Sequence, residues 1–138
     1  MRKASFVIGL CAILALALNV TAMQRSHPDI MKEIGAARSS LKRNIDAGNG
    51  AEAAADGVKL AALFKEIVPM YEERKLGPAV EMANESAAAS AEAAEAAEAG
   101  NMADATAAHG TVVGGCRDCH SQYREKSPDG GYRFKGPQ

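Results

Sequence analysis

Close to the end of the chain stands Cys116-Arg117-Asp118-Cys119-His120, and these five residues restrict the fold more than anything before them. Two thiols three positions apart lie on neighbouring faces of one helical turn. Both are then near enough to add to the two vinyl groups of a single porphyrin, and the next residue falls beneath the iron. The pattern predicts one covalent haem c, tethered through Cys116 and Cys119 with His120 as the proximal axial ligand. A fold that obeys it must make room for a flat apolar disc beside its last helix.

Two other uses of Cys-x-x-Cys carry less weight. A dithiol redox pair calls for a βαβ pattern, and none is visible around the motif. A zinc site calls for four ligands, and outside the N-terminal apolar segment the good candidates are Cys116, Cys119, His27, His109 and His120. His120 directly follows Cys119, which makes joint tetrahedral ligation awkward.

The N-terminus has its own signature. Arg2 and Lys3 precede an apolar run from Phe6 to Val20, and Val20-Thr21-Ala22 supplies a small-residue cut site, so residues 1–22 are expected to be a secretory signal peptide. The competing reading is an uncleaved anchor, and membrane contact is expected only if the segment is retained. Cys11 follows Leu10 rather than a small residue, which argues against lipid attachment; it leaves with the leader. No structural disulfide is then possible once Cys116 and Cys119 hold haem. Export agrees with thioether attachment outside the cytoplasmic membrane, so the expected address is the periplasm.

Charge and composition exclude some functions. The chain has 16 basic and 17 acidic side chains, and loss of Arg2 and Lys3 tips it further towards acid. A nucleic-acid binder would carry a basic face instead. With no Trp, three Phe and three Tyr, the core must come from Ala, Leu, Ile, Val, Met and the porphyrin itself.

Four helices are expected between residues 23 and 126. Ser26-His27-Pro28-Asp29 opens the first, with Ser26 or Asp29 as cap, and Ile30, Ile34, Ala37, Leu41 and Ile45 recur on one face from Pro28 to Asp46. Gly48-Asn49-Gly50 ends it. The second starts near Ala51 and carries Leu60, Phe64, Ile67 and Tyr71, with Leu63 and Met70 beside them; Pro69 predicts a kink or a tightened end. Gly77 before Pro78 is expected to stop that helix and let the third begin. Residues 79–99 are rich in alanine, the best helix former, and their Glu85, Glu92, Glu95 and Glu98 are expected to form a solvated face, with docking of a basic partner as the lesser reading. Asn101 or Asp104 caps the fourth helix, which places Ala105, His109, Val112, Cys116, Cys119, His120 and Tyr123 along one side. Gly110, Gly114 and Gly115 lower its propensity by roughly 1 kcal/mol each, which fits close approach to a porphyrin or a neighbouring helix. The simplest fold is all-α, an antiparallel up-and-down four-helix bundle around the haem. Residues 127–138 form a turn-rich tail whose order the sequence leaves open, and no strand pattern of convincing length is visible.

The last helix also carries a family likeness. Val113, Gly114, Cys116, Cys119, His120, Tyr123 and Arg124 match the pattern Val-Gly-x-x-Cys-x-x-Cys-His-x-x-Tyr-Arg, and the motif sits at the C-terminal end of the chain. This resembles the class II c-type cytochromes, the cytochrome c′ family; specific matching is confined to the last helix and, more weakly, the first. The resemblance implies that the first helix faces the distal side of the iron. Asp29-Ile30-Met31-Lys32-Glu33-Ile34-Gly35 looks like the low-spin, Met-ligated branch, which makes Met31 the candidate sixth ligand. Met31 as a packing residue and His27 as the ligand remain open. In the five-coordinate branch an Arg often stands where this chain has His27, a departure that counts against a gas-binding pocket of the usual kind.

These readings imply a monohaem electron carrier, not an enzyme, that docks transiently on redox partner proteins. The alternative is a five-coordinate protein that binds nitric oxide or carbon monoxide. A third reading is a haem subunit docked on a membrane complex. Pairing of relatives through their first two helices leaves a homodimer open. His109 is expected half-buried near the haem edge or between helices, with a propionate contact as its other use, and Arg124 and Arg117 are the better propionate candidates by charge.

Overall fold

A computed structural model describes residues 25–135, so the leader expected at 1–22 and the last three tail residues lie outside the described residues. Four helices pack together as α1 (His27–Ala47), α2 (Gly50–Glu73), α3 (Gly77–Glu98) and α4 (Met102–Tyr123). Each packs on the next in sequence, and α1 closes on α4. The connections are so short that each helix runs back along the one before it, which is the expected four-helix bundle.

Local chemistry sets the ends. Ser26 caps α1, its hydroxyl accepting from the Asp29 N–H at 3.3 Å, and Asn101 caps α4 by accepting from the Asp104 N–H at 3.2 Å. Three helices stop in the same way. After α1 the Asn49 N–H donates to the Asn44 carbonyl and the Gly48 N–H to that of Ile45. After α2 the Leu76 and Lys75 N–H groups donate to Tyr71 and Glu72, and after α3 those of Asn101 and Gly100 donate to Ala96 and Ala97. Each is a Schellman closure, which needs a left-handed residue. Gly48 and Gly100 supply it at φ 71° and 77°, but after α2 the residue is Lys75 at φ 57°. Gly77 is therefore not the stop expected of it. Buried Leu76 anchors the turn two residues earlier, and Gly77 opens α3.

The core follows the predicted stripes. Ile30, Ile34, Ala37, Leu41 and Ile45 of α1 are buried, as are Leu60, Leu63, Phe64, Ile67 and Tyr71 of α2. Full burial of such aliphatic and aromatic side chains stabilises by about 1.5–3 kcal/mol each. The alanine-rich α3 is a core helix, because small residues let α2 lie almost against it. A Cβ on Gly57 would come 2.8 Å from both Ala94 Cβ and the Ser90 carbonyl, and one on Gly50 would come 2.7 Å from the Ala97 carbonyl. Buried Ser90 donates its hydroxyl to the Ser86 carbonyl at 2.7 Å, so burial leaves it satisfied. Glu85, Glu92, Glu95 and Glu98 are exposed on the opposite side.

Two further features complete the fold. Helix α2 continues through Pro69 to Glu73, because Pro69 and Lys65 are both exposed and the carbonyl left without a helical donor lies at the wet face. The tail folds back as a two-stranded antiparallel ribbon, β1 (Arg124–Lys126) and β2 (Tyr132–Phe134), which pairs Arg124 with Phe134 and Lys126 with Tyr132. Asp129 makes its turn by accepting from the Gly131 N–H at 3.2 Å, and Gly130 takes φ 84°.

Candidate functional site

Where α1 and α3 begin and α2 and α4 end, the helices enclose a cavity of about 670 Å³. That lies within the roughly 300–1,000 Å³ of sites that enclose cofactors and other small molecules. The motif helix forms one wall with Gly115, Cys116, Cys119, His120 and Tyr123, which lie on one face at helical spacing. Gly115 lets this wall come close to α3, since a Cβ there would meet Ser86 Oγ at 2.8 Å; Gly114 and Gly110 have open space. Of the three glycines only Gly115 meets the expectation of close approach to another helix.

Helix α1 forms a second wall. His27, Met31, Ile34, Gly35 and Arg38 line it, so the cavity face lies beside the stripe that α1 gives to the core. The sequence reading thus places Cys116, Cys119, His120, Met31 and His27 around one chamber, and they do meet there. Met82 of α3 is a second methionine in the wall. Its thioether was missed because α3 has no apolar periodicity of large residues to mark a face.

The cavity sets the charge states of its wall. Burial, the largest influence, pushes both cysteine thiols up, with Cys116 adding to the effect on Cys119. A catalytic dithiol needs the opposite shift. Burial, then Arg124 and Arg38, lowers His120, which favours the neutral imidazole that binds metals. His27 is lowered by burial, Arg74 and His120, and its Nε2 lies 3.2 Å from the Tyr71 hydroxyl. Tyr71 is only 2% exposed, and burial together with the nearby Cys119 thiol holds its phenol well above the usual range.

Every charged side chain that lines the cavity is a cation: Lys32, Arg38, Arg74, Arg124 and Arg133. Among the described residues no carboxylate lines it. Of the two propionate candidates Arg124 reaches the wall, whereas Arg117 is exposed elsewhere. Arg38 was recoverable from sequence, because it follows Met31 by seven positions on one helical face. Arg133 and Phe134 were not, because they enter through the ribbon. His109 lies outside the cavity, 8% exposed, and its Nε2–H donates to the Arg38 carbonyl at 3.3 Å; it is an interhelical contact between α4 and α1. Among the described residues no group of three His, Cys, Asp or Glu side chains is placed to hold a metal ion.

Residue by residue, the chamber suits a porphyrin: two thiols and an imidazole on one wall, thioethers on others, apolar surroundings, and cations for two carboxylates. No family model, no curated protein and no solved structure matches the chain.

Proposed function

We propose that this chain is a monohaem c-type cytochrome of the class II kind, exported to the periplasm, which carries electrons between partner proteins. The observation that supports it most is the shared chamber: Cys116, Cys119 and His120 line the same cation-rimmed apolar cavity as Met31. Bound haem would supply one-electron cycling between ferric and ferrous iron. The protein's part is to hold and tune it. Cys116 and Cys119 tether the ring edge, and His120 offers a neutral imidazole to the iron. Met31 offers a soft thioether from the facing helix, which favours the ferrous state and raises the potential. His27 suits that role less well, because its Nε2 is already engaged with Tyr71 and its ring packs edge-on against Phe134. Arg38, Arg74, Arg124 and Arg133 balance the propionates. Apolar walls keep water out, and the packed helices leave little to rearrange between redox states. We assign the chain no catalysis of its own.

Mass spectrometry of exported protein tests the cofactor: the expected result is one haem's mass added to the polypeptide, and the same spectrum gives the mature N-terminus. A polypeptide mass alone, with both thiols free to alkylate, overturns the proposal. Optical spectra then test the distal ligand. Met31→Ala should abolish the methionine–iron band of the ferric protein in the near infrared and let the ferrous protein bind carbon monoxide, whereas Met82→Ala should do neither. If wild-type ferrous protein already binds carbon monoxide and lacks that band, the five-coordinate gas-binding function takes its place.

A further inference from the structure

We propose that the C-terminal ribbon is a wall of the haem chamber and that Phe134 is the positioning residue that holds it there, an inference that rests on the haem reading above. Tyr132, Arg133 and Phe134 line the cavity together with Arg124 of the facing strand. The strands have three residues each, and a lone two-stranded ribbon is marginal in water. Its place must therefore come from contacts with the helices.

Phe134 makes most of those contacts. Its ring stacks on Tyr123 of α4 at 5.7 Å and 3°, and on Tyr71 of α2 at 5.7 Å and 23°, while His27 of α1 meets it edge-on at 5.3 Å. The Arg74 guanidinium lies 4.9 Å from its centroid. One side chain thus joins the ribbon to three helices, and the Lys135 N–H fastens the end by donating to the Tyr123 carbonyl at 2.7 Å. Aromatic pairs of this kind contribute about 0.5–1.5 kcal/mol each beyond their buried area, enough to decide the position of so small an element. Nothing comparable holds Tyr132, which is 61% exposed with Arg124 over its ring. If Phe134 is removed, the ribbon loses its anchor and water gains the chamber from that side. A wetter, more polar environment around bound haem would favour the more charged ferric state, so the potential would fall.

The test uses holoprotein whose haem content has first been confirmed by mass. Phe134→Ala and Phe134→Leu are compared with wild type by hydrogen exchange over residues 132–135 and by midpoint potential. In Phe134→Ala we expect the Lys135 amide to lose its protection and the potential to drop; Phe134→Leu, which keeps apolar bulk, should retain most of both. Glu92→Gln, on the exposed face of α3 and outside the chamber, should leave both readings unchanged. Retained protection in Phe134→Ala overturns the anchor. Lost protection with an unaltered potential overturns the wall, since the ribbon would then leave without changing the cofactor's surroundings. A wild-type chain without porphyrin fails at the first mass measurement, which marks the haem reading as the one at fault.

Discussion

Two glycines, one on α2 and one on α4, should respond to alanine in opposite ways. Gly57→Ala gains about 1 kcal/mol of helix propensity, but its Cβ would sit 2.8 Å from a backbone carbonyl and a Cβ of α3, and overpacking costs about 1–3 kcal/mol. Backbone cannot swing aside, so we expect net loss. Gly110→Ala has nothing within 4 Å and should stabilise by about 0.5–1 kcal/mol. Urea midpoints of the holoproteins decide both. His109 permits a pH test. Burial, with Arg38 and Lys42 adding to it, lowers its pKa, while its hydrogen bond to the Arg38 carbonyl and nearby Asp46 oppose the shift. As pH falls below the ordinary imidazole value near 6.5, the unfolded chain binds a proton that the folded one resists, so stability declines until the lowered folded value is passed. His109→Gln keeps an N–H for the Arg38 carbonyl, and its urea midpoints between about pH 7.5 and 5 should fall less steeply. At this scale the sequence was most informative where geometry was local. Cys116, Cys119 and His120 share one helical turn, and the Met31 face follows from α1's period. The cationic rim needed the tertiary fold, because its arginines come from α1, the turn after α2 and both strands of the ribbon.

At the scale of elements, capping chemistry decides the helix ends, and one of them stores a cost. Lys75 closes α2 with φ 57°, a conformation that costs a residue with a Cβ roughly 1–2 kcal/mol. Lys75→Gly removes that cost and gives back part of it as unfolded-state entropy, so we expect a net gain of about 0.5–1 kcal/mol in thermal or urea unfolding. Lys75 is exposed, and its substitution should leave the cofactor spectra unchanged. The helices themselves were legible from periodicity, because large apolar residues mark a face in α1 and α2. In α3 alanine occupies inside and outside alike, so composition revealed a helix but not which side faced Gly57. The ribbon was illegible for a physical reason. Three-residue strands are too short to show alternation, and what fixes them is Phe134 against rings that are remote in sequence.

Across the whole molecule, packing is uneven. Helices α2 and α3 share the most extensive contact, made close by Gly50, Gly57 and the facing alanines, while α1 and α4 touch least of the four neighbouring pairs. The cavity lies at the end where α1 begins and α4 finishes, and its wall takes Ile34, Phe64, Ile67 and Ala83 as well as the motif. On the proposed function, apolar side chains there would pack on the faces of the haem, whereas the α2–α3 pair needs only itself and the rest of the core. Stability should then be divided in the same way, since local opening follows contact density. A chain made without porphyrin, as Cys116→Ala/Cys119→Ala with haem withheld, is expected to keep hydrogen-exchange protection along 53–64 and 87–97. Protection should vanish over 27–38 and 115–123, and haem attachment should restore it there first. Uniform loss across all four helices would mean that the bundle folds only as a unit around its cofactor. Uniform retention would mean that the chamber is fully built by the polypeptide, and the porphyrin would then add chemistry without adding structure.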